Sequence, residues 1–265
     1  PIKRGFTDMV SALEQKNLFL NKCRQIAPDA VALCDLEGVL PEGILYDADQ
    51  LDAVREYLLE QKADALFMPH CDFGNEEVVG RLGAMMKLPV LVWGNRDPLP
   101  VPGMRDRDTQ CGTLASTKCL QRYRVPFSYI INSDVDGEMF QKGFIDFCSV
   151  AAVVKKARGM RILSVGSRPQ PFLSVIYNED ELLRNFGIEV TPYTSAILAK
   201  DVQKILETRT EEVDAGVKEY AAKVDVSAMP IDKQRAQQAL KLALIDKVKA
   251  SKSDGVALEC WTVLG

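Results

Sequence analysis

Apolar residues recur along this chain at two different spacings, which predict a succession of helices and strands. Helical spacing follows the N-terminus, in a stripe made of Phe6, Met9, Val10, Leu13, Leu18, Leu20 and Ile26. Short apolar runs bounded by turn residues predict strands at Ala30–Cys34, Asp64–Met68, Val90–Trp93 and Phe127–Ile131. Because helical patterns separate these runs, we expect them to form one parallel sheet with helices on both faces.

The second part of the chain repeats the alternation. A long helix over Met139–Lys156 is followed by the breaker sequence Ala-Arg-Gly-Met-Arg at 157–161. The later elements are a strand at Ile162–Val165, a short helix capped by Asn178, a strand at Phe186–Val190, helical sequence over Thr194–Ser251 broken near Pro230, and a strand near Val256. We therefore predict an α/β protein with two Rossmann-like, doubly wound parallel-sheet domains, spanning residues 1–157 and 158–265.

Both ends of the chain are expected to lie inside a domain. The first helical pattern begins almost at once after Pro1–Gly5, where a parallel fold normally has a strand. The last strand-like sequence, Asp254–Trp261, is followed by only a few residues. We expect a missing first strand and a second domain that is incomplete at the chain end.

Composition narrows the class of partner. A formal net charge of -4, without a Lys/Arg cluster longer than a pair, argues against nucleic acid or an anionic membrane. Seven cysteines occur singly, without a C-x-x-C pair, as expected for reduced thiols in a cytoplasmic protein. No apolar run reaches the length of about 18 residues needed for a membrane span, and no signal peptide is evident. A small-molecule partner is expected.

Candidate binding residues follow two of the predicted strands. His70, the single histidine, and Trp93 end strands at the edge where α/β proteins bind ligands, although either could equally be a buried structural residue. An exposed Trp93 ring at a strand end could stack on the apolar face of a sugar ring. Arg96, Asp97 and Arg105 belong to a polar segment that could orient hydroxyl groups or simply pair with itself on the surface.

Other kinds of site receive less support from the sequence. A metal site around His70 would need two or three further carboxylates and would lack a second imidazole. The loop that starts at Gly166 follows a strand but lacks the spaced glycines of a dinucleotide fingerprint. Cys111 begins a predicted helix with no histidine near it in sequence, which favours a packed thiol over a nucleophile.

Seven sequence segments together resemble, in order, the N-terminal two-thirds of the L-fucose isomerase-like proteins, relatives of L-fucose and L-arabinose isomerases. They are PHCDFGNEE, LVWGNRD, GMRDRDTQCGTLAS, RVPFSYI, GSRPQPF, NEDELLRNFGIEV and ALECW. The resemblance covers nearly the whole chain. It also implies that a first strand precedes Pro1.

The resemblance implies a ketol isomerase that moves a proton between C1 and C2 of an aldose through an enediol. A divalent ion, expected to be Mn²⁺, would hold the oxygens on C1 and C2 while two carboxylates transfer the proton. The family's metal-binding and catalytic residues lie beyond the ALECW segment, so none is expected in this chain, and the chain alone is expected to be inactive. The family also implies a homo-oligomer, a trimer or hexamer, in which Arg4 and Trp93 contact a monosaccharide in a neighbouring subunit; Lys3 could replace Arg4.

Two alternatives to the isomerase remain open. A two-lobed sugar-binding protein would share the paired α/β domains, but such proteins are normally exported and oxidised. A regulatory or scaffold paralogue would have the same fold without activity. The presence of two carboxylates and a histidine in the following part of the gene would favour the enzyme.

Overall fold

The computed structural model describes residues 1–5, 7–29, 31–99 and 106–259. They form a mixed α/β protein that divides into two compact units, Pro1–Lys155 and Lys156–Gly265. Each unit has its own parallel sheet and its own apolar core.

The first unit is built on strands β1 (Leu66–His70), β2 (Val90–Gly94) and β3 (Phe127–Tyr129), which pair in that order and in parallel. The N-terminal segment extends this sheet, because Ile2 forms parallel bridges to both His70 and Leu45. Its amide donates to the carbonyl oxygen of Pro69 at 2.9 Å, and its carbonyl accepts from the amide of Cys71 at 2.8 Å. The spatial order is therefore Leu45, Ile2, β1, β2, β3.

Helices cover both faces of this sheet. They are α1 (Met9–Ile26), α2 (Leu51–Glu60), α3 (Glu76–Met86), α4 (Thr109–Arg122) and α5 (Glu138–Ala157). Since successive strand residues point to opposite faces, Val90 and Val92 belong to one buried cluster while Leu91 and Trp93 belong to the other. The central strand β2 is thus buried on both sides, which explains its unbroken apolar sequence.

The second unit has strands β4 (Arg161–Val165), β5 (Glu189–Tyr193) and β6 (Gly255–Leu258) in the parallel order β5-β4-β6. Its helices are α6 (Glu179–Phe186), α7 (Ser195–Thr208), α8 (Thr210–Ala221) and α9 (Ile231–Ser251). The core of this unit joins Leu163 and Val165 on β4 to apolar side chains of α7, α8 and α9.

The α/β class and the parallel pairing of three of the four predicted strands in the first sheet are confirmed. The strand predicted at Ala30–Cys34 is wrong for the described residues 31–34, which have no regular secondary structure. The strand predicted at Phe186–Val190 is displaced, because α6 continues to Phe186 and β5 begins only at Glu189. Asn178 does cap α6, accepting a hydrogen bond from the Glu181 amide at 3.2 Å.

Within the described residues, no helix is both long enough and apolar enough to span a membrane.

Candidate functional site

The order of strands in the first sheet marks one position as the preferred place for a ligand. From Ile2 the chain crosses to Leu45 on one side, and from there it returns past Ile2 to β1 on the other side. In open parallel sheets, ligands bind outside the carboxyl ends of the strands where the direction of winding reverses. Here that switch point lies between the residues that follow Ile2 and those that follow His70.

Asp72 connects the two chain segments that leave the sheet at the switch point. Its side chain is fully buried and accepts hydrogen bonds from the amides of Arg4 at 2.8 Å, Gly74 at 2.9 Å and Thr7 at 3.3 Å. The Lys3 ammonium lies 3.8 Å from its Oδ2 atom. One carboxylate therefore fixes the backbone on both sides of the crevice.

Arg4 is the exposed cation of this crevice. Its guanidinium carbon lies 5.9 Å from the centre of the Phe73 ring, within the range of a cation–π interaction. Lys3, the alternative to Arg4 in the sequence interpretation, is only 7% exposed and donates to the Arg4 carbonyl oxygen at 3.1 Å. Of the two, Arg4 is placed to meet a ligand and Lys3 to support the backbone.

His70 lies below the crevice, out of reach of solvent. Its Nε2 atom is 2.9 Å from Ser116 Oγ and its Nδ1 atom is 3.2 Å from the Met68 carbonyl oxygen. Burial lowers its pKa from 6.5 to about 4, so the ring is neutral at pH 7. Gly74, at φ +76°, rests on the imidazole, because a Cβ atom there would lie 2.3 Å from His70 Cδ2. The structure thus favours the structural alternative for His70 over ligand binding.

Asp97 caps helix α4 from the segment after β2. Its Oδ1 atom accepts from the amide and the hydroxyl of Thr109, both at 2.9 Å, and its Oδ2 atom accepts from the Gln110 amide at 3.2 Å. Asn132 completes the cluster by donating to Thr109 Oγ1 at 2.8 Å and to the Gly94 carbonyl oxygen at 2.9 Å. The carboxylate therefore satisfies the free amides at the start of α4.

Arg96 is exposed beside this cluster. Its Nε atom lies 3.3 Å from Asp134 Oδ2, and the two side chains are 63% and 65% exposed, so their attraction is weak in water. The Arg107 guanidinium donates to the Arg96 carbonyl oxygen at 2.6 Å. Arg105, the remaining candidate from this segment, lies outside the described residues.

The expectation that the Trp93 ring is exposed is wrong. The residue is 0% exposed, with ring centroids 4.2 Å from Phe140 and 5.1 Å from Phe19. Its indole N–H donates to Ser133 Oγ at 3.2 Å, which satisfies the one polar group of the side chain. The physical reason is that helices cover both faces of β2. The Trp93 ring is therefore buried even though the residue lies near the carboxyl end of the strand.

No group of three or more His, Cys, Asp or Glu side chains placed to hold a metal ion occurs among residues 1–5, 7–29, 31–99 and 106–259. Cys111 is exposed to solvent, which corrects the packed thiol expected from the sequence.

The second unit contains a cavity of about 400 Å³ between α7 and α9. Its charged groups are largely engaged with each other. Arg209 pairs with Asp246 at 2.6 Å, and the Lys247 ammonium lies 4.7 Å from the centre of the Tyr193 ring. Arg209, Asp246 and Lys247, which line this cavity, thus already have partners within the same unit.

The switch-point crevice contains two residues that were not singled out from the sequence, Asp72 and Phe73. Both belong to the segment HCDFGNEE after β1, so the signal of polar residues following a strand was present. The sequence alone did not reveal that Asp72 accepts a hydrogen bond from Arg4. The two residues are 68 positions apart and meet only through the pairing of Ile2 with His70.

A comparison with protein families matches residues 1–158 to the fucose/sulfoquinovose isomerase N-terminal domain. The matched part ends three residues beyond the boundary of the first structural unit at Lys155.

Among curated proteins, the chain is similar to sulfoquinovose isomerases from Priestia aryabhattai and Priestia megaterium, each 23% identical over 224 residues that make up 84% of this chain and 49% of the relative. A third sulfoquinovose isomerase, from Alkalicoccus urumqiensis, is also 23% identical over 224 residues, which make up 83% of this chain and 48% of that protein. The chain spans about half the length of these relatives.

Proposed function

The chain belongs to the fucose/sulfoquinovose isomerase family through its N-terminal domain, and from this premise we propose that it is part of a sugar aldose–ketose isomerase. The observation that carries the proposal is the family match over residues 1–158, which include the whole switch-point crevice. The place of the crevice in this domain follows from the strand order.

The proposed reaction converts an aldose to the corresponding ketose. The ring opens, a proton is removed from C2, and the resulting enediol is protonated at C1 while a second proton moves between the two oxygens. A pair of acid and base groups on the whole protein would carry out these transfers. We place these groups, as the sequence resemblance implies, in the part of the protein that follows this chain.

We also propose that the whole protein uses a divalent ion, with Mn²⁺ as the first candidate. When bound, such an ion supplies a Lewis acid for the two oxygens of the enediol. The described residues of this chain do not form a ligand group that fits a metal ion. This part of the proposal therefore rests on the family resemblance, and no step of the reaction is derived for the ion from these residues.

Arg4 is the residue of this chain that we propose to contact substrate. Its exposed guanidinium carries five N–H donors that suit sugar hydroxyls, and it also suits the sulfonate group of a sugar such as sulfoquinovose. Since the family resemblance assigns this contact to a neighbouring subunit, we propose a homo-oligomer in which Arg4 completes the partner's sugar site. Arg96, at the next strand exit, is the second candidate for a hydroxyl contact.

The test uses the intact protein, including the part that follows this chain. NMR would follow the interconversion of sulfoquinovose and, in a separate reaction, of L-fucose with their ketoses, before and after treatment with EDTA and again after addition of Mn²⁺. We expect conversion of one of these sugars, its loss with EDTA and its return with Mn²⁺. Binding of sugar without conversion under all conditions would contradict the proposal and favour a non-catalytic paralogue.

A further inference from the structure

The buried carboxylate of Asp72 organises the backbone that carries Arg4. It is 0% exposed, and its two oxygens receive amide hydrogen bonds from both sides of the switch point, including Arg4 N at 2.8 Å and Gly74 N at 2.9 Å. Hydrogen bonds to an ionised acceptor are about twice as strong as neutral ones. The backbone at Arg4 is therefore held by a residue two positions beyond the end of β1.

The charge of Asp72 is balanced without the Arg4 guanidinium. Lys3 Nζ lies 3.8 Å from Asp72 Oδ2, and the side chain of Lys3 is only 9% exposed, so this ion pair is shielded from water. Amide dipoles add to the compensation. Among the described residues, no carboxylate forms an ion pair with the Arg4 guanidinium, and the hydrogen bond that Asp72 accepts from Arg4 comes from the backbone amide.

Phe73 supports the Arg4 side chain. Its ring lies below the guanidinium at 5.9 Å from the Cζ atom, a contact that limits the directions of the side chain without consuming its N–H donors. The backbone of Phe73 is itself held, because the carbonyl oxygen packs against Gly112 of α4 so closely that a Cβ atom there would lie 1.6 Å away. Asp72 thus fixes the start of the Arg4 side chain, and Phe73 guides its end.

We propose that Asp72 and Phe73 are positioning residues that hold Arg4, whose guanidinium has no carboxylate partner among the described residues, for a hydroxyl or anionic substituent of the sugar. This inference rests on the proposed function. Neither residue touches the substrate, so both act only through Arg4. Holding the guanidinium in one place reduces the entropy lost when the sugar binds.

A double-mutant cycle on the intact protein tests this inference. The variants are Asp72→Asn, Arg4→Ala and the double variant, with kcat and KM measured for the sugar that the wild type converts. Asp72→Asn removes the negative charge and leaves one acceptor oxygen, so its NH2 group must face either the Thr7 amide or the amides of Arg4 and Gly74. We therefore expect KM to rise roughly tenfold with a smaller change in kcat. In the Arg4→Ala background the same substitution should change kcat/KM by less than about twofold.

Asp47→Asn is the matched control. Asp47 also accepts a backbone hydrogen bond, from the Asp49 amide at 2.9 Å, but it does not contact Arg4. Its effect on kcat/KM should be the same with and without Arg4. If Asp72→Asn also changed kcat/KM by the same factor with and without Arg4, the positioning role would be overturned and Asp72 would be a structural residue.

Phe73→Leu provides a second cycle with Arg4→Ala if Asp72→Asn fails to fold. Removal of the ring should raise KM several-fold in the wild type and have no further effect once Arg4 is absent. An additive effect in this cycle would equally overturn the inference. A wild-type protein with no isomerase activity would instead defeat the proposed function, whereas an active wild type with additive cycles defeats the positioning role alone.

Discussion

The Nε2 atom of His70 lies 2.9 Å from Ser116 Oγ, and both side chains are completely buried at the carboxyl end of β1. This contact joins the strand to helix α4 directly beneath the crevice that Arg4, Asp72 and Phe73 form. The histidine therefore supports the site, and its ionisation is coupled to the stability of the fold.

Protonation of His70 makes the stability of the fold depend on pH. The folded pKa of about 4 lies below the ordinary value of 6.5, because burial disfavours the charged ring. The unfolded chain therefore takes up the proton first, so this contribution to stability is complete above pH 6.5 and is lost as the pH falls toward 4. The loss reaches about 3 kcal/mol. Since the sequence has one histidine, NMR of its ring protons reports the titration without overlap.

We expect those ring resonances to remain at their neutral positions from pH 8 to about pH 5. A Ser116→Ala variant tests the contact itself, since it leaves Nε2 without its partner and should lower the free energy of unfolding by about 1–3 kcal/mol. A wild-type midpoint near 6.5 would show that the ring is accessible to water and return His70 to the list of ligand candidates.

Replacement of Trp93 should reduce stability. Trp93→Ala removes a ring packed among Phe19, Phe67 and Phe140, and we expect a loss of about 3–5 kcal/mol in the free energy of unfolding. Tyr129→Ala is the control, since Tyr129 is 63% exposed and should change stability by less than about 0.5 kcal/mol. Denaturant unfolding of both variants measures these two changes in the free energy of unfolding. Equal stability of the two would place the Trp93 ring outside the core.

The cap that Asp97 provides to helix α4 is also measurable. Asp97→Ala leaves the amides of Thr109 and Gln110 without their acceptor, so the free energy of unfolding should fall by about 1–2 kcal/mol. The exposed Asp106 belongs to the same polar segment, and Asp106→Ala should have little effect. If both substitutions had the same small effect, the segment would be self-paired surface and Asp97 would have no special part in it.

The sequence predicted the parallel sheet because its strongest signals are local. Apolar runs such as Val90–Gly94, bounded by turn residues, define strands without knowledge of their neighbours. The strand predicted after α1 was wrong for the same reason. Residues 31–34 have the composition of a strand but do not belong to the sheet. The element that pairs beside β1 is instead Ile2, in a segment too short to carry a periodic pattern.

The candidate site was only partly predictable. Arg4 could be proposed from the family resemblance, but the Asp72 contact depends on strand order, which sequence periodicity does not determine. Trp93 and His70 were placed at the correct edge, yet exposure depends on which helices cover each face. For Trp93, the deciding residues are Phe19 on α1 and Phe140 on α5, both remote in sequence.

The central claim is that the switch-point crevice presents Arg4 to the sugar of an isomerase, and kcat/KM of Arg4→Ala in the intact protein tests it most directly. Arg81→Ala is the control, because Arg81 is exposed on α3 and pairs with Glu77 at 3.0 Å away from the crevice. Loss of charged hydrogen bonds to substrate should lower kcat/KM of Arg4→Ala roughly 10- to 100-fold, mainly through KM, and leave Arg81→Ala unchanged. An Arg4→Ala protein within about twofold of the wild type would contradict the account.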